Sequence, residues 1–115
     1  MKYMMLIAGP EDGEAEQSPE EERKVYQRIE AWWEEHAAAG RIVGGHELEP
    51  SSTATTVRID EALQATVTDG PFVEAKEMVG GYAILEVADL DEALSVASGW
   101  PAPITLEIRP IVRRD

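Results

Sequence analysis

The chain contains no cysteine. Disulfide frameworks, thiolate nucleophiles and Cys-ligated zinc or iron–sulfur sites are thereby excluded. Basic side chains are scarce: 10 Lys and Arg stand against 23 Asp and Glu, a formal net charge of −13. A surface of that sign lacks the positive footprint that phosphate backbones require, so neither nucleic acid nor an anionic membrane is expected as a partner. The acidity reads first as solubility. Long apolar runs are also missing: nothing approaches the roughly 20 residues of a membrane span. The apolar start Tyr3 to Ala8 is too short for a secretory signal core and runs into Gly9-Pro10, so the chain is expected in the cytoplasm.

What is present suits a folded protein. A chain of 115 residues, 43% hydrophobic and 29% charged, buries a core without cross-links, and one domain is expected over residues 1–115. Lys2 to Ala8 is apolar on both parities, the pattern of an inner strand with both faces covered. Ser18-Pro19-Glu20-Glu21 combines an N-cap, a proline in the first turn and a capping-box glutamate, which predicts a helix start. Val25, Ile29, Trp32, Trp33, His36 and Ala37 continue it as one apolar stripe, and Gly40 supplies the left-handed stop.

The middle reads as a meander. Arg41 to Leu48 and Ala54 to Ile59 are predicted strands separated by the turn-forming Glu49-Pro50-Ser51-Ser52, and Gln64 to Thr68 resumes β-branched character. Asp69-Gly70-Pro71-Phe72 is a tight turn by composition. Met78 to Val87 follows as a strand with Val79, Ala83, Leu85 and Val87 on one parity and Tyr82, Ile84 and Glu86 on the other. Asp89 caps a second helix whose inward stripe is read as Leu90, Ala93, Leu94 and Ala97, ending near Gly99. Ile104, Leu106 and Ile108 then alternate with Thr105, Glu107 and Arg109 in a last strand.

This order is the split βαβ plan of a ferredoxin-like α+β fold, an antiparallel sheet with two helices on one face. Its other face is expected to carry Tyr82, Ile84, Glu86, Thr105, Glu107 and Arg109, too mixed for plain solvent surface and too polar for a core. Two such faces packed together make a homodimer enclosing a partly polar cavity.

The segment Val67-Thr68-Asp69-Gly70-Pro71-Phe72-Val73-Glu74-Ala75-Lys76-Glu77, followed by Gly80-Gly81-Tyr82, closely resembles the signature of the DGPF branch of YciI-related (YCII-like) proteins. Lys2-Tyr3-Met4-Met5-Leu6-Ile7, Ala54-Thr55-Thr56-Val57-Arg58, Ala88-Asp89-Leu90-Asp91-Glu92-Ala93 and Glu107-Ile108-Arg109-Pro110 agree with it in order and spacing, so the likeness spans nearly the whole chain. The resemblance implies a dimeric α/β-barrel assembly. It also implies an association with sigma factors, whose genes adjoin those of some members. Wider YciI-like proteins use a His near the start of the first helix and an Asp before a Pro after the second. Here the first helix opens on Glu20, Glu21 and Glu22, and Gly99-Trp100-Pro101 follows the second, so no His–Asp pair carries over.

Candidate chemistry is spread over three places. Asp69, Glu74, Lys76 and Glu77 offer a carboxylate base beside an ammonium, and equally a turn cap with solvated ion pairs. Arg58, Glu86, Glu107 and Arg109 are expected on the dimer-facing side, where a guanidinium grips a carboxylate or phosphate or pairs internally with glutamate. Tyr82 supplies a phenolic donor to the same ligand or packs at the rim. His46, in Gly44-Gly45-His46-Glu47, is the better placed histidine for a base, and His36 is expected to pack.

The two histidines lack metal-ligand spacing, Glu11 to Glu16 lacks the alternation of a calcium loop, and Gly44-Gly45 and Gly80-Gly81 are too short for a phosphate cradle. No metal or cofactor is therefore expected, and the glycine pairs read as bulges or close backbone approaches. Trp32 and Trp33 are expected as core and rim, and Trp100 as the cover of a helix end or subunit seam. Three readings remain open on the residues: a cavity protein for a small polar molecule using Arg58, Asp69, Lys76, Tyr82, Glu86, Arg109 and His46, an accessory protein for a transcription-related partner, and a structural dimer.

Overall fold

Eight-residue β1 (Lys2–Gly9) leads into α1 (Pro19–Ala38), β2 (Ile42–Glu47), β3 (Thr55–Ile59), β4 (Ala65–Asp69), β5 (Met78–Glu86), α2 (Leu90–Ser98) and β6 (Thr105–Pro110). The computed structural model describes residues 1–10, 18–72 and 76–114. The acidic stretch Glu11 to Glu16, and Glu74 among the candidate site residues, lie outside them.

Local chemistry sets the helix ends. The Ser18 hydroxyl accepts from the Glu21 N–H at 3.1 Å while the Glu21 carboxylate accepts from the Ser18 N–H at 3.3 Å, so α1 begins with the expected capping box. A cap of this kind contributes about 1 kcal/mol. Gly40 ends the helix at φ +77°, a left-handed conformation that residues with a Cβ adopt only at a cost. Asp89 caps α2 by accepting from the Glu92 N–H at 2.9 Å.

Four strands form an antiparallel sheet in the order β2-β5-β1-β6. The parallel pair β1 and β2 is split by β5, an order compatible with the ferredoxin-like plan. Tyr3 and Met5 of β1 with Ala83, Leu85 and Val87 at β5 form one core with Trp32 of α1 and Ala93, Val96 and Ala97 of α2, so both helices cover the same sheet face. The Trp32 indole N–H donates to the Val96 carbonyl at 3.2 Å, and its ring meets Trp100 edge-on at 5.0 Å. One side chain thus ties α1 to the C-terminal end of α2 and to the residue after its cap.

Four inward assignments change. In α2 the buried stripe is Ala93, Val96 and Ala97, while Leu90 and Leu94 are 47% and 46% exposed. At 100° per residue those leucines fall on the flank of the stripe centred on Ala93. Ala37, at the last turn of α1, is exposed. Val79 is 44% exposed and does not share the core parity of Ala83 and Leu85. The register between β1 and β5 shifts between Ile7/Gly81 and Ala8/Val79, leaving Gly80 as an extra residue that turns Val79 onto the opposite face.

The middle segment departs most from the main sheet. Among the described residues, β3 and β4 pair only with each other, as a separate two-stranded hairpin. A 3₁₀ turn, Ser51–Thr53, leads into it after Pro50.

Candidate functional site

Sheet register assigns the face opposite the helices. Alternation along β1 puts Lys2, Met4, Leu6 and Ala8 on it. Their cross-strand partners on β5 are Glu86, Ile84, Tyr82 and Val79, and on β6 Arg109, Glu107 and Thr105 oppose Met4, Leu6 and Ala8. The expected outer-face set, Tyr82, Ile84, Glu86, Thr105, Glu107 and Arg109, is brought together.

β2 joins this face through a bulge. Ile42 opposes Leu85 and Gly44 opposes Ile84, so Val43 is the additional residue. Without it His46 would point at the helices; with it His46 opposes Tyr82, ring centroids 6.0 Å apart in an edge-on arrangement. Gly45 makes the bulge sterically feasible. Its φ is +141°, and a Cβ there would run into the Tyr82 carbonyl oxygen and come within 2.6 Å of the Trp33 ring and 2.8 Å of the Ala83 Cα. The expectation that the glycine pairs mark bulges and close approaches holds for both.

Two rows therefore cross the sheet. One runs Glu107, Leu6, Tyr82, His46; the next runs Arg109, Met4, Ile84, Gly44. With strands about 4.8 Å apart, the outer members of a row stand roughly 14 Å from each other. Met4, Leu6, Tyr82 and Ile84 are half-buried within one chain, and His46, Glu107 and Arg109 are exposed. Arg109 Nε donates to the Glu107 carboxylate at 2.5 Å, the internal pairing weighed as its alternative role. Glu86 lies 3.7 Å from the N-terminal ammonium. Exposed pairs of this kind contribute under about 1 kcal/mol.

Arg58, expected beside Glu86 and Arg109, stands instead on the β3–β4 hairpin, because that hairpin has left the sheet; it donates to the Phe72 carbonyl at 3.1 Å. Asp69 closes β4, and Lys76 and Glu77 are exposed before β5. These four residues do not join the outer-face rows. A cleft of about 630 Å³ lies between the hairpin base and the sheet, lined by Leu48, Pro50, Thr55, Phe72, Glu77 and Val79 among others. The apolar floor of Met4 and Leu6 was not singled out as site surface from the sequence; the two-parity apolar pattern of β1 is the signal that carries it.

On the helix side, the Tyr26 hydroxyl donates to Glu47 at 3.2 Å, and the negative charge of Glu47 raises its pKa above 10.0. His36 Nδ1 accepts from Arg41 Nε at 2.8 Å, and the ring lies edge-on to Trp32 at 4.9 Å. Desolvation, then the Arg41 charge, lower its pKa below 6.5. His36 packs, as expected. Among the described residues no three of His, Asp and Glu gather as a metal site, and no helix is long and apolar enough to cross a membrane.

Comparison with known proteins finds similarity along the chain. The model of the YCII-related domain matches residues 1–113. The chain is 32% identical over 115 residues to uncharacterized protein R00369 of Rhizobium meliloti (strain 1021), covering 96% of this chain and 92% of that protein.

Proposed function

The chain belongs to the YCII-related family, and from that premise we propose that it binds a small polar molecule between the outer sheet faces of two copies. The observation that carries this reading is the pair of cross-sheet rows. An apolar floor of Met4, Leu6 and Ile84 lies between a phenol and an imidazole on one side and a guanidinium and a carboxylate on the other. Such a floor half-exposed in one chain is suited to closure by a second sheet stacked at about 10 Å.

Charge supports a copy of the same chain as the cover. Lys2 and Arg109 balance Glu86 and Glu107 on this face, whereas the chain as a whole carries −13. Two copies meeting here avoid the repulsion that most of their surface would impose.

The chemistry available fits a ligand with an anionic group and a hydroxyl or carbonyl. The Arg109–Glu107 pair uses Nε, and the planar guanidinium has further donors for a carboxylate or phosphate. Tyr82 donates or accepts at the floor's other side. Turnover at this face is proton transfer with His46 as the base, its ring steered by Tyr82. Native mass spectrometry of the protein purified from its own host tests the reading. A dimer retaining one discrete small mass, lost in Arg109→Gln and Tyr82→Phe, is the expected result. A monomer with nothing retained overturns it.

A further inference from the structure

Among the described residues, the β3–β4 hairpin keeps one apolar face exposed. Val57 opposes Val67 and Ile59 opposes Ala65 on one face of the hairpin, while Thr56, Arg58, Thr66 and Thr68 occupy the other. The polar face is tied to the following turn: Thr56 Oγ1 donates to the Gly70 carbonyl at 2.6 Å and Arg58 to that of Phe72. Among the described residues the apolar face has no comparable cover, and Val57, Ile59 and Val67 are 55%, 66% and 63% exposed. An isolated two-stranded hairpin is at best marginally stable in water.

The tip adds an independent sign. Asp60 Oδ1 accepts from the N–H groups of Ala62 and Gln64, both at 2.9 Å, which shapes a tight loop. Leu63 sits in that loop at φ +63° and is 81% exposed. A left-handed position in solvent favours Gly or Asn, and leucine there is strained. The side chain is placed outward at a backbone cost.

We infer that the β3–β4 hairpin is a clasp whose apolar face and Leu63 tip pack on the second copy of the chain, against the cleft edged by Leu48, Phe72 and Val79. This rests on the outer-face dimer proposed above. A cover that the hairpin needs whenever the chain is folded must be present at the chain's own concentration, which a second copy satisfies. The cleft is also continuous with the outer face: Val79 lies in the row of Ala8 and Thr105, and Leu48, whose N–H donates to the Gly80 carbonyl at 2.8 Å, extends β2 two residues beyond His46. Leu48, Phe72 and Val79 are 47%, 72% and 44% exposed. Five strand residues reach about 17 Å, enough to pass from one sheet layer to a partner layer about 10 Å away. The Cα radius of gyration, 16.5 Å against about 13 Å for a compact chain of this length, shows a chain extended for its size.

Hydrogen exchange on the intact protein, together with disulfide trapping in this cysteine-free background, tests the clasp. Ile59→Cys and Leu48→Cys are made in two differently tagged chains that are expressed together. The expected result is a disulfide joining one chain to the other, with β3 and β4 amides in the wild-type dimer exchanging at least tenfold more slowly than on dilution to monomer. A dimer whose hairpin amides exchange freely and which forms no such disulfide overturns the clasp while leaving the outer-face dimer standing. A monomer at all concentrations overturns both.

Discussion

His46 and Tyr82 face each other across the β2–β5 ladder at 6.0 Å because Val43 is an extra residue in β2 and Gly45 lets the strand close against the Tyr82 carbonyl. One bulge therefore converts a residue aimed at the helices into one aimed at the outer face. The position of the candidate base depends on a glycine that touches no ligand.

Gly45→Ala is expected to cost about 3 kcal/mol, since it combines a strained positive φ with overlap against strand backbone. Urea denaturation measures it. Gly80→Ala, where a Cβ meets nothing within 4 Å, is expected to cost under about 1 kcal/mol and serves as the control.

His36 gives the fold a pH dependence of known sign. Its folded pKa lies below 6.5 because burial and Arg41 disfavour the imidazolium. The stability it contributes is fully present above pH 6.5 and is lost as pH falls through the lowered folded value, when protonation removes the acceptor of the Arg41 hydrogen bond. Denaturation midpoints between pH 7.5 and 5 should fall more steeply for the wild type than for His36→Gln; equal slopes would refute the assignment.

Trp32→Ala is expected to destabilise by about 3–5 kcal/mol, because it removes a 6% exposed side chain and its bond to Val96. Trp33→Ala, at a half-buried position, is expected to cost less. Thermal melts of the two variants separate a core tryptophan from a rim one.

Leu63→Asn relieves the left-handed strain at the hairpin tip and removes an apolar contact with the second copy. The clasp predicts about tenfold weaker dimerisation, read by dilution in sedimentation equilibrium. A tip that touches nothing predicts a slightly more stable chain and unchanged association.

Much of the fold was legible because its signals are local. Ser18, Pro19, Glu21, Gly40 and Asp89 act within a few residues of themselves, so their caps and stops appear in the sequence. The alternation of Thr105, Glu107 and Arg109 likewise marks one face of β6. Side-chain direction past a bulge was not legible: Gly80 reverses Val79, and Val43 reverses His46, through pairings with distant strands. Arg58 was misplaced for a related reason, since periodicity reports a strand but not which sheet it joins. Leu90 and Leu94 look like core residues by type, yet it is the small Ala93 and Ala97, with Val96, that are buried.

The central claim is that the outer face of the β2-β5-β1-β6 sheet meets a second copy, and sedimentation velocity of the wild type beside Ile84→Arg tests it most directly. Ile84 is absent from the buried core of its own chain, so the substitution should leave far-ultraviolet circular dichroism unchanged. The account predicts a dimer for the wild type at micromolar concentration and a folded monomer for Ile84→Arg. A monomeric wild type, or a variant as dimeric as the wild type, would contradict it.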